Sequence, residues 1–304
     1  MDKIGLVTIT YNSADVLRSF LDCVWKQTHS NLILYVIDNA SVDTTLSMLD
    51  NEKNTSLRVV KNVKNFGVAK ANNQGIRQAI LDGCDQVLII NNDVEFESAL
   101  IEKLIKIQIE EKCSLVTPKM MYYDYPNHIW YAGSWFVKKK GYLPLHRGIK
   151  ELDEGQYNKT IDVEYAPTCC LLAKKEVFQD IGFMDEKYFV YFDDTDFSYR
   201  VWKDGRHKML YYPNVEFYHK VGSLTKSFQK DTKKIYRGNF FLQQNTKNHI
   251  YFLKKIGGVF SYTFIVWLFF KNNIRFVVNP LIRKDISTWW LINKSYFQGL
   301  ISNE

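Results

Sequence analysis

Residues 3–41 read KIGLVTITYNSADVLRSFLDCVWKQTHSNLILYVIDNAS. Lys3 to Asn12 carries a short apolar strand signal that stops at the polar Tyr11-Asn12-Ser13. Val16, Leu17, Phe20, Leu21 and Val24 then recur at helical spacing behind Ser13, a candidate N-cap. A second strand signal ends on Asp38-Asn39. Strand, helix and strand in this order predict a parallel pair joined by a right-handed crossover.

The alternation continues outward from this unit. SVDTTLSMLDNEKN (41–54) is predicted helical, LRVVKN (57–62) a strand, GVAKANNQGIRQAILDG (67–83) a helix and DQVLIINNDV (85–94) a strand. Ligands of such sheets bind at the carboxyl ends of the strands. Asn12, Asp38, Asn39 and Asp93 all fall at those ends. Between 115 and 190 the signals are mixed: VTPKMMYYD (116–124), WYAGSWFV (130–137) and VEYAPTCCLLAKKEVFQDIGFMDEKYF (163–189), with helix character from Lys174 to Gly182. A helix to Gly205 and a strand over HKMLYYPNVEFYH (207–219) follow.

Several ligand classes are disfavoured by missing motifs. The first strand is not followed by GxGxxG, and neither GxxxxGK[ST] nor GxSxG occurs, which argues against dinucleotide-binding, P-loop and α/β-hydrolase chemistry. Asn and Asp at the strand ends suit base and ribose edges or a divalent metal. The apolar fraction of 46% supports a full core, and aromatics at 15% are abundant. Five cysteines without CxxC spacing read as buried thiols of a reducing compartment. MDKIGLVTITYN lacks the pattern of a cleavable signal, so a cytoplasmic location is expected.

YFVYFDDTDFSYRVWKDG (188–205) places Asp193, Asp194 and Asp196 within four positions among aromatics. Acids at a helix start complement the macrodipole. Crowded carboxylates also raise one another's pKa, which makes one of them a usable base. Both readings fit the same four residues.

The order of these motifs resembles that of family 2 inverting glycosyltransferases of the GT-A fold, in the rhamnosyltransferase-like branch that builds bacterial surface polysaccharides. VTITYNSADVL (7–17), VIDNASVDTT (36–45), NFGVAKANNQGI (65–76), IINNDVEF (89–96), FDDTDF (192–197) and EFYHKVGS (216–223) carry the likeness, in order, over about residues 3–226. The resemblance implies an α/β GT-A fold: a Rossmann-like nucleotide-binding half with a mixed central sheet, plus a C-terminal helical appendage. It implies a nucleotide-sugar donor held by Thr10, Tyr11, Asn12, Asp38, Asn39, Asn65, Gly67, Asn72, Asn92 and Asp93. It further implies Asp194 as catalytic base supported by Asp193 and Asp196, and Mn²⁺ or Mg²⁺ held by Asp93 and His219. The expected donor is dTDP-rhamnose first and a UDP-sugar next, with a glycan or lipid-linked oligosaccharide as acceptor.

Two positions depart from the family pattern. Asn91-Asn92-Asp93 leaves one carboxylate where a DxD-like motif is usual, so a metal would lean on the diphosphate and His219. Pro167-Thr168-Cys169-Cys170 replaces the usual small acceptor-side segment, and the vicinal cysteines read as packing residues.

The division expected is a catalytic domain over 1–226, with a donor half (1–95) and an acceptor-side half (96–226), and a basic, aromatic helical region over 227–304. From Leu224 onward there are 13 Lys and Arg against 3 Asp and Glu, which leaves the rest of the chain slightly acidic within a total of +7. Ile256 to Phe270 is an uncharged run of 15 residues, short of the roughly 17–25 needed to span a bilayer. A helix lying on an anionic inner leaflet is therefore expected, with helix packing or dimerisation as the other reading. Two other functions compete: an inactive sugar-nucleotide-binding or scaffold protein of the same fold, and nucleic-acid binding through the basic tail. The body carries no RNP-like signature, so nucleic acid is not an expected partner.

Overall fold

The computed structural model describes residues 2–221, 238–278 and 286–302. The Gly222-Ser223 end of the EFYHKVGS match and the basic residues within 222–237 and 279–285 lie outside the described residues. The chain divides into two compact units, residues 1–136, 144–189 and 193–228, and residues 137–143, 190–192 and 229–304.

The first unit begins with the predicted alternation: β1 (Ile4–Thr10), α1 (Ala14–Trp25), β2 (Leu32–Asp38), α2 (Thr45–Asp50), β3 (Leu57–Lys61), α3 (Val68–Leu81) and β4 (Gln86–Ile90). There follow β5 (Val94–Phe96), α4 (Leu100–Glu110), β6 (Leu115–Pro118), β7 (Met120–Tyr122), β8 (Ile129–Tyr131), β9 (Ser134–Val137), β10 (Leu143–His146) and β11 (Ile161–Asp162). Next come β12 (Cys170–Lys174), α5 (Lys175–Ile181), α6 (Asp193–Asp204), β13 (Met209–Tyr212) and β14 (Phe217–His219).

The main sheet runs β11-β13-β6-β12-β4-β1-β2-β3. β1 pairs parallel with β2 on one side and with β4 on the other, and β12 lies antiparallel to β4 and β6. Ile4, Leu6, Val7, Leu34, Val36, Val87 and Leu88 are completely enclosed, as expected of a sheet covered on both faces. Each such side chain contributes about 1.5–3 kcal/mol by leaving water. The chain runs outward from β1 through β2 to β3 and then returns through α3 to β4 on the other side of β1, so the carboxyl ends of β1 and β4 flank a topological switch point, where open α/β sheets bind ligands.

A second sheet runs β5-β14-β7-β8. HKMLYYPNVEFYH, expected as one strand, is two strands in different sheets. β13 pairs parallel with β6, whereas β14 lies antiparallel to β5. Pro213 and Asn214 separate them: proline cannot donate to a ladder, and Pro-Asn favours a turn. Ser13 precedes α1 as predicted but makes no side-chain cap bond. Its Oγ instead accepts from Tyr11 N and Asn92 Nδ2.

The second unit contains α7 (Asn239–Ile256), α8 (Gly258–Val278) and α9 (Ile286–Ile301). Ile250, Leu253, Ile265 and Tyr296 form its core. Gly299 brings α9 against α7, since a Cβ there would stand 2.4 Å from the Lys247 carbonyl oxygen. Lys254 Nζ donates to the carbonyls of Leu300 and Ser302 at 2.9 and 2.8 Å, a cationic cap on the C-terminus of α9. Among the described residues no helix is long and apolar enough to cross a membrane.

Candidate active site

Most residues expected at the nucleotide form a hydrogen-bonded frame at the strand ends. Asp38 is fully enclosed; it accepts from Thr10 Oγ1 (2.8 Å), Ser41 Oγ (2.5 Å) and Ser41 N (2.9 Å). Asn39 donates from Nδ2 to Gly67 O (3.2 Å) and accepts from Asn62 Nδ2 (2.9 Å). Asn92 donates to Ile9 O and Ser13 Oγ, both at 2.9 Å, which ties the ends of β4 and β1 together. Asn65 Oδ1 accepts from Gly67 N, and Asn72 is buried with Nδ2 3.8 Å from Met184 Sδ. Gly67 has φ +85°, and a Cβ there would lie 2.3 Å from the Phe189 carbonyl oxygen. The position admits little but glycine.

Tyr11 and Asn12 are placed differently, on the surface. Tyr11 is 49% exposed. Asn12 takes φ 52°, a left-handed conformation asparagine tolerates, and its Oδ1 accepts from Val42 N at 2.8 Å. Behind this frame the pair register of β5 and β14 sets Val94 opposite His219. That register puts His219 Nε2 3.4 Å from Asp93 Oδ1, with both residues buried. Lys220 N donates to the Asp93 carbonyl at 2.8 Å, just beyond the β5–β14 pairing.

These two residues fit a cation that is shared with a ligand. The donor atoms would be Asp93 Oδ1 and His219 Nε2, leaving the buried Nδ1, which has no hydrogen-bond partner among the described residues, on the far edge of the ring. Two donors each about 2.1 Å from one ion stand roughly 3 Å apart, close to the observed spacing. Among the described residues no cluster of three or more His, Cys, Asp and Glu could hold a metal. The remaining oxygens would have to come from a diphosphate and water, as Mg²⁺ and Mn²⁺ accept.

The acids of α6 meet three different environments. Asp196 pairs with Arg200 Nε at 2.8 Å, and Arg200 also donates to the carbonyls of Ile181 and Phe183. Asp193 is 3% exposed, and its Oδ2 has no hydrogen-bond partner among the described residues. Burial first, then the Asp194 charge, push its carboxyl well above the usual carboxylate range. Asp194 is half-buried; it accepts from Tyr165 Oη at 2.7 Å and Thr195 Oγ1 at 3.3 Å. Burial raises its carboxyl too, opposed chiefly by the Tyr165 hydrogen bond. Asp193 is raised the further of the two, because side-chain donors, Tyr165 and Thr195, face only Asp194.

Buried Cys169 lies within electrostatic range of acids from both halves of the site. Asn91 N donates to its carbonyl at 3.0 Å. Its thiol is pushed well up by burial and then by Asp93, Cys170 and Asp194. All five cysteines are free thiols, and Cys169 and Cys170 are buried. A chain of rings joins the halves by a second route: His219 to Trp130 at 4.6 Å, Trp130 to His146 at 5.1 Å, and His146 to Tyr165 at 5.7 Å. Burial lowers His146 to about 4, so it is neutral near pH 7. The motifs do not reveal Tyr165, Trp130 or His146; their only signal in the sequence is the high aromatic content.

The model of the family described as Glycosyl transferase family 2 matches residues 6–182. The chain belongs to that family. Among relatives of this family 2 glycosyltransferase, the low-salt glycan biosynthesis hexosyltransferase Agl10 of Haloferax volcanii is 21% identical over 201 residues, 66% of this chain and 62% of that protein. The chain thus spans somewhat less than two thirds of the archaeal relative. The dTDP-rhamnosyl transferase RfbF of Shigella flexneri is 26% identical over 229 residues, 72% of this chain and 70% of that protein. The mannosyltransferase PcManGT of Pyrobaculum calidifontis, solved with GDP-Man and Mn²⁺, is similar in fold. Its TM-score is 0.57 at 13% identity, over 100% of this chain and 88% of that one. The fold is that of the GT-A glycosyltransferases.

Proposed function

We propose that this family 2 glycosyltransferase moves a sugar from a nucleoside-diphosphate donor to a hydroxyl of a glycan or lipid-linked oligosaccharide, with inversion at the anomeric carbon. The observation that carries the proposal is the Tyr165–Asp194 hydrogen bond together with the buried Asp93–His219 pair, both acids being within electrostatic range of Cys169. The donor favoured is dTDP-rhamnose, after the Shigella relative, and a UDP-sugar is next. A lipid-linked acceptor would place the enzyme at the cytoplasmic face of a membrane.

Asp194 takes the proton of the acceptor hydroxyl as that oxygen attacks the anomeric carbon. The bond from that carbon to the diphosphate oxygen breaks, and the bonding pair leaves with the nucleotide. Tyr165 fixes the carboxylate through Oδ2, and the acceptor meets Oδ1, which Thr195 Oγ1 holds only at 3.3 Å. Neutral Asp193 behind it keeps the pair at a single negative charge. Asp93 and His219 would hold Mn²⁺ or Mg²⁺ against the diphosphate. Such an ion, when bound, supplies positive charge to the leaving group. Tyr11 and Asn12 face the nucleotide, and Thr10, Asp38, Asn39, Asn65, Gly67, Asn72 and Asn92 hold the pocket in shape.

A panel of dTDP- and UDP-sugars with Mn²⁺ and a glycan acceptor, read by nucleoside-diphosphate release and product NMR, tests the reading. Inverted product from one donor is expected. A retained anomeric configuration would rule out single displacement, and nucleotide binding without release from any donor would leave an inactive binding protein.

A further inference from the structure

The three helices of the second unit carry six basic residues, Lys247, Lys254, Lys255, Lys271, Arg275 and Lys294, and not one Asp or Glu. Lys254 is used inside the unit. Lys271, Arg275 and Lys294 are exposed. Beside them α8 presents an apolar stripe to solvent: Val259, Tyr262, Val266, Phe270, Ile274 and Val277, each 53–82% exposed. Their spacing of three or four residues keeps them on one face, over about 27 Å of helix.

α9 adds a second stripe through Ile286, Trp290, Phe297 and Ile301, each 52–74% exposed. The two stripes are contiguous, since Phe269 touches Phe270 at 5.7 Å and Phe297 at 6.0 Å between ring centroids. A shallow groove of about 420 Å³ runs along α8, lined by Trp267, Phe270, Lys271, Ile274, Arg275 and Val278. Lys271 Nζ stands 4.5 Å above the Trp267 ring and Lys294 Nζ 5.9 Å above the Trp290 ring. These are aromatic bodies with cationic tips, the arrangement that suits a bilayer interface.

We infer that the α8–α9 face docks in the headgroup region of an anionic lipid bilayer. Charge decides between possible occupants. A second copy placed symmetrically on this face would bring Lys271, Arg275 and Lys294 against their own kind, with no carboxylate on α7–α9 to pair them. Nucleic acid would match the charge but not the apolar stripe. An anionic leaflet matches both, with acyl chains for the stripe and phosphates for its basic border. Attachment through such a face is reversible, unlike the insertion of a spanning helix. The inference does not rest on the transfer reaction.

The test is co-sedimentation of the full chain with vesicles of phosphatidylcholine, alone and mixed with phosphatidylglycerol. Binding to the mixed vesicles only, released by salt, is expected. Lys271→Gln with Arg275→Gln should weaken it about 30-fold, taking about five-fold per basic residue. Val266→Ser with Phe270→Ser should abolish it while circular dichroism shows an unchanged fold. Because these four residues are on the surface, unfolding of either double variant is not expected; nucleotide-induced thermal stabilisation of each, equal to wild type, checks this. Equal binding by wild type and the Lys271/Arg275 variant would overturn the inference. So would a dimer that Phe270→Ser dissociates without any vesicle binding, or an oligonucleotide complex formed through the same residues in its place.

Discussion

Asp193 and Asp194 are neighbours in sequence with different surroundings, and substitutions at and around them should separate their roles. Asp194→Asn keeps the shape of the side chain but cannot take a proton, so turnover should fall roughly 10²–10⁴-fold with donor affinity unchanged. Tyr165→Phe removes the hydrogen bond that opposes the rise of the Asp194 carboxyl. The acidic limb of kcat/KM against pH should therefore move to higher pH, whereas a purely structural tyrosine would leave its midpoint in place. Asp193 has a raised folded-state pKa, so above its unfolded value of ~3.9 the folded state binds more protons than the unfolded one, and stability falls as pH rises. Asp193→Asn should match wild type in Tm near pH 4 and exceed it increasingly toward neutrality. A constant difference across that range would show that its charge is not the cause. The acid cluster is legible in the sequence because like charges among aromatics are unusual. What divides its labour is not, because Tyr165 lies 29 positions away and Arg200 enters from within the helix.

Elements are legible where hydrophobic period and length agree, as in β1, α1, β2 and α3. They are less so where one apolar run serves two sheets, as in β13 and β14, although Pro213-Asn214 marks the break. The register of β14 on β5 puts His219 beside Asp93, and register depends on pairing partners about 120 residues apart in sequence that no local pattern names. Helix contacts are similarly non-local. Gly299→Ala should gain up to about 1 kcal/mol of helix propensity but place a Cβ 2.4 Å from the Lys247 carbonyl. Overpacking against backbone costs about 1–3 kcal/mol and should win. Hydrogen exchange should show faster opening of α7 and α9 with β1 and β4 unaffected, and equal protection in all four would contradict the close-approach argument.

Across the whole molecule, charge and proposed chemistry are separated: the carboxylates of the proposed site belong to the first unit, and the helices of the second carry only positive charge. That partition is plain from composition alone, whereas which side chains of the tail face outward depends on how α7, α8 and α9 pack. In the proposed reaction Asp93 and His219 hold a cation for the nucleotide while Asp194 acts apart from binding. Thermal unfolding with saturating dTDP or UDP, in Mn²⁺ and in EDTA, measures this for wild type, Asp93→Ala and Asp194→Asn. At a nucleotide concentration about 100 times Kd the stabilisation should be about 2.7 kcal/mol, present only with Mn²⁺. It should persist in Asp194→Asn and vanish in Asp93→Ala. Equal stabilisation in EDTA, or in Asp93→Ala, would contradict the account.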